Sequence, residues 1–208
     1  MHEQKSTKMK NKLSFSPLTA DCWNDFKDLF GKRGACGGCW CMYWRLKRAE
    51  FNQKKGEGNR RLMQRMVKDG IVPGILAFAG KIPVGWCAVA PRADYPVLNN
   101  SRILRPVDEQ TVWSIVCFFI RKEYRNQGIS IALIKAAVEF VRQQNGTIVE
   151  AYPVEPKKGI MPAVFAYTGL ASAFLKAGFK EVARRSETRP IMRFILKNRR
   201  TRTRTGSE

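Results

Sequence analysis

The sequence predicts a single α+β domain built around a mixed, mostly antiparallel sheet. Two apolar runs within residues 75–90 flank Gly80-Lys81, a two-residue connection of the kind that joins the strands of a hairpin. Residues 111–120 form a β-prone run that is apolar on both faces, as a central strand is. A helical period over 129–141 and another strand at 147–152 follow, which predicts one strand–helix–strand crossover among antiparallel neighbours.

The first third of the chain predicts one strand and two helices. Residues 13–18 alternate between apolar and polar side chains, which is typical of a strand. A helix over 19–30 is predicted next, with a Thr or Asp cap near its start and Gly31 after its end. An irregular Gly-rich segment at 34–44 separates this helix from another over 60–68.

After the hairpin, the strongest pattern is a long amphipathic helix that ends before Gly146. Its apolar residues recur every three or four positions, with charged and polar residues opposite. These apolar positions are Ile129, Ala132, Leu133, Ala136, Ala137, Phe140 and Val141. Residues 91–106 are predicted to be a loop, 170–175 a shorter helix, and Val182 onward and 191–196 the last two strands.

Composition excludes several classes of protein. The 208 residues are 44% hydrophobic and 11% aromatic, which excludes disorder throughout the chain. No apolar run approaches the ~18 residues that indicate a membrane-spanning helix. The first residues are polar and lack the apolar core of a signal peptide, so we expect a cytoplasmic protein with no membrane partner.

Positive charge is spread along the chain. Against 17 acidic residues there are 38 Lys and Arg, a net charge of +21. Residues 1–12 and 197–208, predicted to be flexible tails, carry +3 and +4, which leaves +14 on a single domain over 13–196. Such a field attracts nucleic acid, anionic membranes or a polyanionic small molecule, and it does not choose among them.

A turn between the central strand and the long helix carries the clearest chemical signal. Residues 124–130 leave several backbone N–H groups without helical partners, and the helix dipole adds to their attraction for an anion. Gly128 lets the backbone approach a phosphate closely, and Arg125 and Ser130 add donors. The alternative is an ordinary strand-to-helix turn that contains one glycine.

Residues 125–130, Arg-Asn-Gln-Gly-Ile-Ser, resemble the pyrophosphate loop Arg/Gln-x-x-Gly-x-Gly/Ala of the GNAT superfamily of acetyl-CoA-dependent N-acetyltransferases, with Ser in the last small position. The resemblance extends from about Ile75 to Leu196 and includes the Gly178-Phe179 pair. It implies a fold of three layers, with helices on both faces of the sheet. It also implies that the fourth and fifth strands splay apart, here 116–120 and 148–152.

The same resemblance implies how acetyl-CoA, the acyl donor, would bind. The pantetheine arm would lie between the splayed strands and bond the backbone of Phe118 and Ile120. An N–H near Phe118 or Phe119 would polarise the thioester carbonyl. The turn would hold the pyrophosphate through Arg125, Asn126, Gln127, Gly128, Ile129 and Ser130.

The implied reaction is direct attack of a neutral amine on the thioester. A carboxylate base is usual, and Glu150 is the candidate, with an edge or outward-facing glutamate in a salt bridge as the alternative. Phe174 stands where many members of the superfamily carry the Tyr that protonates the departing thiolate, and it cannot donate a proton. Tyr152, Tyr167 or water would then take that role.

The cysteine-rich segment 34–44 would cover the acceptor side of such a fold. Trp40, Tyr43 and Trp44 are predicted to line an acceptor pocket, with Cys41 as a partly exposed thiol of the same site, and core packing is the alternative. Three closely spaced thiols fall short of the four ligands of a structural zinc site, and the only histidine is His2, so no metal is expected. All six cysteines are expected to be free thiols.

The predicted activity is N-acetylation of an amine on a small molecule or a protein. Two alternatives stay open: a basic RNA- or ribosome-binding module, and a protein that binds acyl-CoA without turnover. Nucleic acid is not the favoured partner, because the sequence lacks clustered exposed aromatics and a recognition element. The oligomeric state is left open, with a homodimer among the options.

Overall fold

The computed structural model describes residues 12–157 and 165–196. Its seven strands are β1 (Leu13–Pro17), β2 (Gly74–Ala79), β3 (Ile82–Pro91), β4 (Trp113–Ile120), β5 (Ile148–Ala151), β6 (Lys180–Arg184) and β7 (Pro190–Ile195). Its α-helices are α1 (Trp23–Phe30), α2 (Arg48–Gln53), α3 (Glu57–Lys68), α4 (Pro96–Asn99), α5 (Ile129–Gln143) and α6 (Ala171–Lys176).

All seven strands form one sheet in the order β1-β2-β3-β4-β5-β7-β6. Only β4 and β5 run parallel, and α5 makes the crossover between them. The neighbouring pairs on both sides are antiparallel. The prediction of a mixed, mostly antiparallel α+β sheet with one crossover is therefore confirmed.

Helices cover both faces of the sheet, as predicted. One core layer contains the apolar face of α5 together with α6, and it packs on β2, β3 and β4. The other layer contains α1, the cysteine-rich segment and the buried residues of α2–α4. Gly85 in β3 brings α5 close to the sheet, since a Cβ added there would lie 3.1 Å from Leu133.

The splaying of β4 from β5 is also confirmed. The two strands pair only from Trp113 opposite Val149 to Ile115 opposite Ala151, whereas β4 continues to Ile120. On its other side, β4 bulges against β3, where the pairing skips Val116. A bulge bends its strand and increases the local twist, which accounts for the divergence.

Four elements differ from the prediction. The sequence analysis missed α2 and placed α4 within a loop, because each helix buries a single apolar side chain and so shows no helical period. The helix predicted over 60–68 begins earlier, at Glu57, after Gly56 with φ of 83°. The strand predicted from Val182 begins at Lys180.

The predicted tails lie outside the described residues, apart from Lys12. Within 12–157 and 165–196, no helix is both long and apolar enough to cross a membrane.

The packing of α5 on the sheet gives a test of the core. Leu133 is 0% exposed, and Leu133→Ala should lower the free energy of unfolding by about 2–5 kcal/mol, because it leaves a cavity under α5. Leu175→Ala is the matched control, since Leu175 also lies in a helix but is 58% exposed. Urea unfolding measures both. An equal loss in the two variants would contradict the assigned packing.

Candidate functional site

The turn between β4 and α5 presents a row of unpaired backbone N–H groups. Within the described ranges, none of the N–H groups of residues 126–131 donates to a protein acceptor, and no side chain caps α5. Asn126 and Gly128 have φ of 60° and 79°, in the left-handed region. Successive N–H groups around such residues form a concave nest that binds anions.

Two side chains of the turn form hydrogen bonds with backbone carbonyls of the preceding residues. Arg125 Nε donates to the Ile120 carbonyl over 3.0 Å, and Gln127 Nε2 donates to the Glu123 carbonyl over 2.9 Å. Ile129 is buried against the sheet, so its backbone N–H alone is available to a ligand. A Cβ added to Gly128 would meet nothing within 4 Å, which leaves the approach to the N–H groups open.

These features fit a diphosphate. The N–H groups, the N-terminal end of the α5 dipole and the exposed Arg125 all favour negative charge. Ser130 is half-buried in the first turn of α5. The structure therefore brings together the residues predicted to bind pyrophosphate, although the assignment of each to a ligand stays a prediction.

The gap between the splayed strands is crossed by the segment at Tyr167. The Phe118 N–H donates to the Tyr167 carbonyl over 2.6 Å, where β5 no longer provides a partner. The expectation that this N–H is free for a ligand is thus corrected, because a buried edge N–H takes an available acceptor. N–H groups alternate along a strand, so that of Ile120 also faces the gap, and that of Phe119 faces β3.

Aromatic residues gather beside the gap. The Tyr167 ring lies 6.4 Å from that of Tyr43 and 6.5 Å from that of Trp44. Burial, with a smaller effect of Tyr43, raises the pKa of Tyr167 to about 12, so its hydroxyl stays protonated near neutral pH. Phe174 packs on Phe118 with ring centres 6.0 Å apart and supplies no hydroxyl there.

A buried ion-pair network adjoins the paired part of β4 and β5. Glu150 is 0% exposed, and both its carboxylate oxygens accept hydrogen bonds. Arg193 Nε donates to Oε2 over 2.7 Å, and the Tyr152 hydroxyl donates to Oε1 over 2.6 Å. Arg92 Nη1 is 3.2 Å from the same Oε1. Glu150 is therefore salt-bridged, the predicted alternative, but inside the core.

The outer members of this network connect it to the surface. Arg193 makes a two-pronged contact with Asp108, at 2.6 and 2.9 Å, and this hydrogen bonding lowers the pKa of Asp108 to about 2. The Tyr152 hydroxyl also meets the Ser114 hydroxyl at 2.9 Å. Burial, and then the Glu150 charge, raise the pKa of Tyr152 above its usual range. The network links β4, β5, β7 and the segment that contains Asp108.

The residues predicted to line an acceptor pocket separate into two groups. Trp40 and Cys41 are each 5% exposed and belong to the core layer that contains α1. Trp40 stacks on Phe30 with ring centres 5.7 Å apart. Trp40 and Cys41 are therefore packed in the core, which is the predicted alternative to lining an acceptor pocket. Tyr43 is half-buried and reaches the aromatic group at the gap.

All six cysteines are free thiols in the structure. Across the part of the chain that the structure describes, no group of three or more His, Cys, Asp or Glu side chains is arranged to hold a metal ion.

Sequence reasoning missed Arg92, Arg193 and the Tyr167 carbonyl. Arg193 interrupts the apolar run of β7, and a lone arginine there is a signal of a buried ion pair. Arg92 lies in a segment predicted to be a loop and gives no such signal. The Tyr167 carbonyl is a backbone group, so the residue type at this position does not indicate its contact with Phe118.

The buried network predicts a large effect of Glu150→Gln on stability. The change removes the charge between two guanidinium groups and should lower the free energy of unfolding by roughly 3 kcal/mol, seen as a lower Tm. Glu139→Gln is the control, because its side chain is 51% exposed and its partner Arg142 is on the surface. A variant as stable as the original protein would show that the network does not support the fold.

Comparison with known proteins identified a matching family model and similar solved structures. Residues 40–158 match the family model described as "Acetyltransferase (GNAT) family". A search among curated proteins found no match.

Solved structures share the fold at low sequence identity. The PaiA N-acetyltransferase from Thermoplasma acidophilum, in complex with coenzyme A, has a TM-score of 0.50 and 11% identity, covering 89% of this chain and 99% of that one. GNAT acetyltransferases from Listeria monocytogenes and Streptococcus agalactiae both reach a TM-score of 0.53. Their identities are 7% and 11%, covering 88% and 89% of this chain and 95% and 96% of theirs.

Proposed function

The chain belongs to the GNAT acetyltransferase family, and we propose that it transfers an acetyl group from acetyl-CoA to an amine by direct attack. The observation that carries the proposal is the row of unpaired N–H groups over 126–131, at the end of the gap between β4 and β5. An ordinary strand-to-helix turn does not require two left-handed residues, one of them a glycine with open surroundings.

Bound acetyl-CoA would supply a thioester whose carbonyl carbon is open to attack by an amine. The N–H groups of 126–131 and the Arg125 guanidinium would hold its diphosphate. The Ile120 N–H faces the gap and would bond the pantetheine arm. The Phe118 N–H donates to the Tyr167 carbonyl, so it is not among the proposed contacts with the cofactor.

Proton transfer requires a base for the amine and a donor for the thiolate. Of the three tyrosine and glutamate candidates, Tyr167 lies beside the gap with a protonated hydroxyl, which suits a donor. Tyr152 and Glu150 bond each other and two arginines in the core, and we assign them to holding the strands in place. Solvent water would accept the amine proton, while Glu150 as base stays a prediction.

The acceptor would bind at the aromatic group beside the gap. Trp44 is 7% exposed, and its indole N–H has no partner among residues 12–157 and 165–196. Because this nitrogen is closed to solvent, the half-buried rings of Tyr43 and Tyr167 would make the contact with the acceptor. Small-molecule amines and protein amino groups both fit. Screening amines while detecting released coenzyme A thiol distinguishes them.

Gly128→Glu should abolish acetyl-CoA binding, with at least a 100-fold rise in Kd as an order-of-magnitude expectation, because a carboxylate would project among the N–H groups. Gly70→Glu is a matched control: Gly70 also has φ near +80° and open surroundings, and it lies after α3. Calorimetry measures both affinities. Unchanged affinity in Gly128→Glu would remove the turn from the cofactor site.

Tyr167→Phe should lower kcat by roughly 100-fold, the smaller end of a general acid's contribution, because a thiolate is a good leaving group. The Kd for acetyl-CoA should change little. Tyr95→Phe is the control, since it removes another buried hydroxyl, one that contacts Arg45 away from the gap. Equal kcat values in Tyr167→Phe and the original enzyme would assign the donor to water.

A further inference from the structure

One half-buried arginine beside the gap has no acidic partner in the described ranges. Arg189 comes directly before β7, and its Nη1 donates to the Tyr152 carbonyl over 3.2 Å and to the Thr168 hydroxyl over 2.8 Å. Tyr152 follows the last residue of β5, and Thr168 follows Tyr167 in the segment that crosses the gap. The guanidinium therefore lies between the end of β5 and that segment.

The opposite edge of this guanidinium is open. Its Nε and Nη2 make no hydrogen bond to residues 12–157 and 165–196, and neither belongs to the nitrogen atoms there that are both closed to solvent and unpartnered. Because the guanidinium is planar, these two N–H groups are parallel and match two oxygens of a carboxylate or phosphate. The bonds of Nη1, one of them to the fully buried Thr168, orient this edge before a ligand binds.

Other arginines of this chain use the same edge to hold a carboxylate. Nε and Nη2 of Arg184 donate to the two carboxylate oxygens of Glu181 over 2.8 and 2.6 Å. Nε and Nη2 of Arg60 hold Glu57 in the same way, over 2.7 and 2.5 Å. The open edge of Arg189 thus has the arrangement that binds an oxyanion elsewhere in the protein.

Two acidic side chains near Arg189 are already paired. Glu187, two residues earlier, contacts Lys157, and Glu155, whose N–H is bonded to the same turn, contacts another arginine. Residues 158–164, which lie outside the described ranges, include neither Asp nor Glu. A half-buried charge without a counter-ion loses hydration and gains nothing in return, so the position favours an anionic ligand.

Arg189 lies close to the aromatic group. It bonds Thr168, which adjoins Tyr167, and the Tyr167 ring lies 6.4 Å from that of Tyr43. In agreement with this position, burial raises the pKa of Tyr167 to about 12 while the charge of Arg189 opposes the rise. An anion held by Arg189 would therefore lie beside the rings proposed to contact the acceptor.

We propose that Arg189 determines specificity for the acceptor, and that the acceptor is an amine that also carries a carboxylate or a phosphate. Nε and Nη2 of Arg189 bind two oxygens of this group, and Tyr43 and Tyr167 contact the rest of the molecule. The role in acceptor choice rests on the proposed function, whereas oxyanion binding at Arg189 does not. The two can therefore fail separately.

Matched probes test the site without acetyl-CoA. Benzoate and benzamide have the same shape and differ in charge, and phenyl phosphate is compared with phenol. Binding is followed through the backbone amide resonances of Tyr167 and Thr168 in nitrogen-15 NMR spectra. We expect at least one anion to bind with a Kd roughly 10-fold below that of its uncharged partner, and the tighter anion identifies the group.

Two variants assign this preference to Arg189. Arg189→Gln should bring the two Kd values of a pair together, whereas a structural role alone would weaken both probes alike. Arg185→Gln is the matched control and should keep the preference, because Arg185 is half-buried in the same turn and donates to two backbone carbonyls. Circular dichroism verifies that each variant is folded.

Two results would overturn the inference. One is the absence of any preference for benzoate or phenyl phosphate in the original protein. The other is an equal loss of the preference in Arg185→Gln and Arg189→Gln, since that would reflect the overall positive charge of the protein and not a site at Arg189.

Acetyl transfer tests the role in acceptor choice. Phenylalanine and phenylalaninamide form the carboxylate pair, and phosphoethanolamine and ethanolamine the phosphate pair. For the pair that matches the tighter anion, the ratio of kcat/KM values should fall roughly 10-fold in Arg189→Gln, and comparing variants cancels the difference in amine basicity. An unchanged ratio, or turnover confined to amines without an anionic group, would show that the acceptor class is wrong. Absent turnover with every amine would count against the proposed function, and the binding result would still decide whether Arg189 holds an anion.

Discussion

The parting of β4 from β5 is the constraint on which the rest of this structure depends. Backbone pairing between them stops at Ile115 and Ala151, while β4 runs on to Ile120 with one edge turned toward the gap. Edge N–H groups inside a protein need acceptors, and the Tyr167 carbonyl takes one of them. The aromatic group and the α5 turn are both arranged around the edge that this divergence exposes.

A parting of strands requires that the paired part be held firmly. The Glu150 network stabilises this paired part, because it joins β5 to β7 through Arg193 and to the segment after β3 through Arg92. Buried ion pairs of this kind add little net stability over apolar packing, yet removing one partner is costly. Their contribution here is to fix which strands meet and where the pairing stops.

The sheet, the crossover and the open turn before α5 could be predicted because each depends on local pattern. Five of the seven apolar positions predicted for α5 are buried, the buried face also includes Ile134 and Val138, and Gly128 marks the turn before the helix. Long-range partners could not be predicted in the same way: the contacts of Glu150 with Arg92 and Arg193 join residues 58 and 43 positions apart. Trp40 shows the same limit, since an aromatic residue in an irregular segment suits a pocket or a core equally well.

The N–H groups that we propose bind the diphosphate belong to the main chain at the start of α5. This affects how the sequence of such a site can change. The side chains of Asn126 and Gln127 are exposed, and the backbone amides of the turn would be present with almost any residue there. Only the left-handed positions constrain residue choice, and Gly128 does so most strongly. The proposed diphosphate site can therefore keep its amide donors while the exposed side chains around it change.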